Sequence, residues 1–82
     1  MSLRGIVAGN LRRLRHVKGI SQEELADRAD IDRNYVGKLE REENAATVDM
    51  LEKLAIVLEI DPVEFLQRKG TPADATEPGV EK

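Results

Sequence analysis

Apolar residues in this chain recur at helical spacing in short stretches, and almost every stretch is bounded by a residue that caps or stops a helix. Leu3, Val7, Leu11 and Leu14 follow one another at intervals of four, four and three, the repeat of a single helix face. Gly19 then supplies a stop. Ser21, with Glu24 three residues later, gives a capping-box signal that opens "SQEELADRA", in which Leu25 and Ala29 lie one turn apart. Asp30, Ile31 and Asp32 interrupt this second helix, because aspartate tolerates left-handed backbone and caps a following helix well. A third helix is expected from about Arg33 to Arg41. Thr47 is the expected N-cap of a fourth, whose stripe is Val48, Leu51, Leu54, Ala55 and Leu58. Asp61 followed by Pro62, an N-cap and a first-turn proline, opens a short fifth helix that Gly70 ends. No stretch alternates with the period of a strand. The expected class is all-α, five helices within residues 1–69, followed by a polar tail over residues 70–82 that has too few apolar residues for a core of its own.

At 82 residues the chain makes one small domain, and a domain of this size buries only about 60% of its unfolded surface, so a homodimer is plausible from size alone. With no cysteine and a single histidine, His16, neither a disulfide framework nor a Cys/His metal site can be built, and no metal or cofactor is expected. A nucleophile beside a base and a glycine-rich phosphate loop are also missing, which argues against an enzyme. No signal-peptide core or membrane-length apolar stretch is seen, so a soluble cytoplasmic protein is the expectation. The net charge of −3 conceals an asymmetry: residues 1–41 carry nine Lys/Arg against six Asp/Glu, net +3, and residues 42–82 carry four against ten, net −6. Anything anionic is expected to meet the first half.

Projected at about 100° per residue, the third helix sorts its residues by angle. Arg33, Asn34, Gly37, Lys38 and Arg41 share one side; Tyr35, Val36 and Leu39 share the other. A charged side of this kind is either solvated surface or a binding face. Arginine and lysine pair with guanine, and asparagine with adenine, in the major groove of DNA. Gly37 favours the binding reading, because a glycine inside an exposed helix costs about 1 kcal/mol relative to alanine and would let the backbone approach a groove.

From about Asn10 to Leu66 the chain resembles the lambda-repressor-like helix-turn-helix family, the Cro and phage-repressor type often called XRE. The resemblance is carried by "LRRLRHVKGISQEELADRADIDRNYVGKLERE" and "TVDMLEKLAIVLEIDPVEFL". It implies a helix-turn-helix in helices two and three, with Arg33, Asn34, Gly37 and Lys38 at the bases of double-stranded DNA. Phosphate contacts are expected from Arg12, Ser21, Gln22, Tyr35, Arg41 and Asn44, with Arg13 and Lys18 as further candidates. Ala26 is expected where the two motif helices cross, Ile31 and Val36 as apolar plugs, and Arg15 as the ion-pair partner of Glu40. The family usually has glycine where this chain has Asp30 and Glu42. Glu42 and Glu43 thus place two carboxylates where related proteins present backbone amides or basic groups to phosphate.

The function implied is a homodimeric transcriptional regulator on a palindromic operator, a repressor or an autoregulatory controller of a neighbouring operon such as a restriction-modification system. Its dimer surface is expected on the outer face of helix four and around Pro62, Val63, Phe65 and Leu66, although Phe65 could equally be core. No effector domain is recognisable, so a small-molecule effector is not expected. The competing reading is an antitoxin-type helix-turn-helix protein whose main task is to mask a toxin, with the tail from Thr71 to Lys82 as the segment to fold on a partner.

Overall fold

A computed structural model of the protein describes residues 2–68. Within them the chain forms α1 (Leu3–Lys18), α2 (Gln22–Ala29), α3 (Tyr35–Glu40) and α4 (Val48–Leu58), followed by a single 3₁₀ helix, Pro62–Leu66. The expected fifth α-helix is therefore a 3₁₀ segment. Asp61 caps it through its carboxylate, which accepts from the Val63 amide at 2.9 Å, but the segment ends at Leu66, before Gly70, which lies outside the described residues together with the whole tail.

Three of the four α-helices, α1, α2 and α4, begin where the N-cap side chain accepts an otherwise orphaned amide. Ser2 accepts from Gly5, Ser21 from Glu24 at 3.0 Å and Thr47 from Met50 at 3.0 Å. Only half of the expected capping box forms: the Glu24 carboxylate reaches forward to Arg28 instead of back to Ser21. α3 starts two residues later than its sequence suggests. Asp32 Oδ1 accepts from the Asn34 amide at 2.7 Å and the Asp32 carbonyl from Tyr35 at 3.0 Å, so Arg33 and Asn34 occupy the turn before the helix.

The core is Leu11 and Leu14 of α1, Ile20, Leu25, Ala26 and Ala29 of α2 and its approach, Val36 and Leu39 of α3, Leu54, Ala55 and Leu58 of α4, and Phe65. α1 packs on α3 and the 3₁₀ helix, and α2 packs on α3 and α4. Phe65 is fully buried among these residues and so is not available to a dimer surface, contrary to its inclusion among interface candidates. The two apolar stripes also run out at their first members. Leu3 and Val48, 59% and 75% exposed, project from first turns that reach beyond the core.

Asn10, which in the sequence only interrupts an apolar run, is 1% exposed. Its amide donates to the carbonyls of Phe65 at 2.8 Å and Gln67 at 2.6 Å. This one side chain ties the middle of α1 to both ends of the last turn, and it satisfies carbonyls that a 3₁₀ helix leaves unpaired. Replacing Asn10 with alanine is expected to cost about 1–3 kcal/mol, the cost of leaving buried carbonyls without partners. Denaturant unfolding measures this, and an unchanged midpoint would show that the tie carries no stability.

Candidate nucleic-acid interface

The α2–turn–α3 unit is held at its crossing by small and apolar residues. Ala26 is fully buried, Val36 is fully buried and Ile31 packs against the core from the turn. With Val36 and Leu39 drawn inward, the start of the unit faces outward. Arg33, Asn34 and Lys38 are all exposed, and Arg33 has only a loose ion pair, 3.7 Å to the exposed Asp27. These three side chains are thus free to meet a partner surface, two from the turn and one from the first full turn of α3.

Beneath them lies a polar centre. Glu40, 3% exposed, is gripped by Arg15, whose Nε donates to Oε2 at 2.7 Å and Nη2 to Oε1 at 3.1 Å. Gln22 Nε2 also donates to Oε1 at 2.9 Å, while Arg12 donates to the Glu40 carbonyl at 2.9 Å. Arg15 reaches in addition the Ile20 carbonyl at 3.0 Å, in the link that leads into α2. One carboxylate thereby joins α1, α2 and α3. Burial would raise its pKa, but hydrogen bonds from Arg15 and Gln22 and the charges of Arg15 and Arg12 outweigh burial and hold it below the usual carboxylate range.

Gly37 is not the exposed glycine that its angle suggests. It is buried, and a Cβ there would lie 3.0 Å from Arg41 Nη1 and 3.1 Å from Gln22 Oε1. The missing side chain accommodates two polar tips that fold across the α2–α3 junction. Gln22, which the sequence suggests for phosphate, has its amide nitrogen committed to Glu40. Tyr35 is half-buried and its hydroxyl donates to the Ala45 carbonyl at 3.4 Å. Asn44 is half-buried in the loop after α3, against an apolar groove lined by Leu3, Val7, Leu39, Val48 and Leu66. Arg41, exposed, is paired with Glu43, Nε to Oε2 at 2.8 Å. Ser21 and Arg12 remain exposed, Arg12 beside the end of α3.

One feature was hidden from sequence reasoning and another was signalled only indirectly. The Gln22–Glu40 bond needs the α2–α3 crossing to be visible, and no spacing signals it. The left-handed backbone at Glu42, φ 64°, had a signal in the family's usual glycine, and the chain keeps that conformation without it.

The profile of the helix-turn-helix family HTH_3 matches residues 11–65. The control protein C.SmaI of Serratia marcescens is 36% identical over 70 residues, which is 85% of this chain and 83% of that protein. Among solved structures, the chain is similar to a hypothetical transcription factor from Neisseria, with a TM-score of 0.80 at 37% identity over 83% of this chain and 78% of that one. It is similar also to the restriction-modification controller protein C.AhdI of Aeromonas hydrophila, with a TM-score of 0.73 at 40% identity over 76% of this chain and 90% of that one.

The lowered carboxyl of Glu40 makes stability depend on acid pH. The unfolded chain takes up this proton first as pH falls, so the stabilisation is complete at neutral pH, starts to fall near the ordinary value of 4.5, and is lost as pH drops through the lower folded value. Thermal unfolding across this range is expected to show a steeper acid loss for the natural chain than for Glu40→Gln. Parallel curves would contradict the assignment.

Proposed function

The chain belongs to the helix-turn-helix family HTH_3, whose members similar to it include transcription regulators, and on that premise we propose that it binds operator DNA sequence-specifically as a homodimer and controls transcription of a restriction-modification operon. One observation carries the DNA-binding part: Arg33, Asn34 and Lys38 are exposed together at the start of α3, while Val36 and Leu39 of the same segment are buried. These are the side chains whose donors fit guanine and adenine edges in the major groove. Ser21 and Arg12 flank them and are suited to phosphate, as an exposed hydroxyl at the start of α2 and as a guanidinium beside the end of α3. The controller role is supported by the similarity to C.SmaI and C.AhdI, proteins named for that task.

The homodimer is supported by an apolar strip on the side of α4 away from the core. Ile56 is 77% exposed and Val63 56% exposed, and Ile56, Ile60 and Pro62 line a shallow groove with Ala55 and the carboxylates of Glu52 and Glu59. Solitary exposed apolar residues are ordinary, but a strip spanning two elements marks an interaction surface. Two copies joined through it would carry their recognition segments into successive major grooves, roughly 34 Å apart, on a palindromic site. Leu66, 43% exposed, faces the separate groove near Leu3 and Val48. The dimer reading therefore rests on Ile56, Ile60, Pro62 and Val63. Among the described residues no helix is long and apolar enough to cross a membrane, and a cytoplasmic site of action fits this role.

On operator DNA selected from random fragments, Arg33→Ala and Lys38→Ala are each expected to cost about 1–3 kcal/mol and relax preference at one base position. Arg12→Ala is expected to weaken all duplexes alike and to flatten the salt slope by about 1. Gel-shift titration separates the two patterns, and unchanged operator binding by both recognition variants would remove the groove assignment. Sedimentation of the natural chain and of Ile56→Asp at micromolar concentration tests the second part. A dimer that the substitution dissociates is expected; a natural chain that stays monomeric on and off DNA contradicts it.

A further inference from the structure

All four α-helices end in one motif. A residue with left-handed backbone follows the last turn, at Gly19 (φ 75°), Asp30 (59°), Glu42 (64°) and Glu59 (59°). The next amide then reaches five residues back: Ile20 to the Arg15 carbonyl at 3.3 Å, Ile31 to Ala26 at 3.0 Å, Glu43 to Lys38 at 2.9 Å and Ile60 to Ala55 at 3.0 Å. This geometry folds the side chain of that residue back toward the end of its own helix. After α1, α2 and α4 the residue is isoleucine, and all three isoleucines belong to the core or pack against it.

After α3 it is glutamate. The end of α3 carries Lys38 and Arg41 on its exposed side, and there the motif sets a carboxylate in place of an apolar anchor. Glu43 Oε2 accepts from Arg41 Nε at 2.8 Å and Oε1 from Nη2 at 3.4 Å. The other end of the same guanidinium, Nη1, lies over Gly37 beside Gln22, at the junction of the two motif helices. Both side chains are about half exposed, so the pair stands open to solvent and to a competing anion.

We propose that Glu43 is an internal competitor for the DNA phosphate: its carboxylate occupies the Arg41 guanidinium, so that Arg41 reaches phosphate only when the pair opens, and DNA affinity is set below what the basic residues would otherwise give. The inference rests on the DNA-binding reading above. Carboxylate and phosphate oxygens compete for the same forked donor. Binding to DNA of arbitrary sequence consists of phosphate neutralisation, so it is the mode that such a competitor suppresses most directly. The Glu43 carboxyl is held below the usual range, first by its hydrogen bond from Arg41 and further by the charges of Arg41 and Lys38, as expected of an anion facing both cations.

The test is a cycle of four chains, natural, Glu43→Gln, Arg41→Ala and the double variant, titrated on a mixed-sequence duplex over a range of salt, with Asp49→Asn, an exposed carboxylate in the first turn of α4, as a separate loss of one negative charge. Glu43→Gln is expected to tighten binding about two- to fivefold at low salt and to steepen the salt slope by about 1, as one phosphate contact is gained. In the Arg41→Ala background the gain should shrink to that of Asp49→Asn. An equal gain with and without Arg41 would mean that only a repelling charge had been removed and would overturn the proposal, as would no gain at all. Arg12→Ala on the same duplex separates the two failures: if it still weakens binding, the competitor idea alone has failed; if it does not, the DNA-binding reading has failed with it.

Discussion

The arrangement of this protein depends on the carboxylate of Glu40. Three donors from two other helices converge on it, two from Arg15 and one from Gln22, and they add directional contacts to an apolar core that joins the same helices. An 82-residue chain has a small core and little surplus stability. A buried, fully hydrogen-bonded ion pair adds little net stability against an apolar substitute, but losing one partner leaves an uncompensated charge, at a cost of about 3–5 kcal/mol. What the pair contributes is orientation. It ties the end of α3 to α1 and to the first turn of α2, and the Asp32 turn at the other end of α3 carries Arg33 and Asn34.

The helix ends show how local rules serve the site. Every α-helix stops in the same left-handed motif, and the residue that takes the unusual backbone is glycine only once. Aspartate tolerates it, while glutamate at positions 42 and 59 adopts it under the hold of two amide bonds across each turn. Three of the stops anchor an isoleucine in the core; the one at the recognition helix turns a carboxylate toward the cations. The same backbone device thus does structural work at three ends and electrostatic work at the fourth.

Much of this was legible in the sequence. The all-α class, the Gly19 stop, the caps at Ser21, Thr47 and Asp61, and the burial of Val36 and Leu39 follow from periodicity and capping chemistry. So does the exposure of Lys38, whereas Arg33 and Asn34 are exposed as residues of the turn before α3. What was not legible depends on contacts between distant residues. Gly37 was read as exposed because a helical wheel cannot show the Gln22 and Arg41 tips lying over it. Asn10 has no local partner, and its role appears only when Phe65 and Gln67 arrive beside it. The start of α3 moved to Tyr35 because the Asp32 side chain captured the Asn34 amide, a competition between turn and helix that propensity leaves open. The proline at 62 correctly marked a helical start but could not distinguish a 3₁₀ segment from an α-helix.

The central claim is that the face set by Glu40 is the one that meets DNA. Amide chemical shifts of the isotope-labelled chain, followed during titration with a mixed-sequence duplex at low salt, test it residue by residue. The largest changes are predicted at Ser21 to Glu23 and Asp32 to Lys38, with α4 near Ile56 little affected. Changes centred on α4 or on the exposed side of α1 around Gly9, with the Arg33 to Lys38 segment silent, would contradict it.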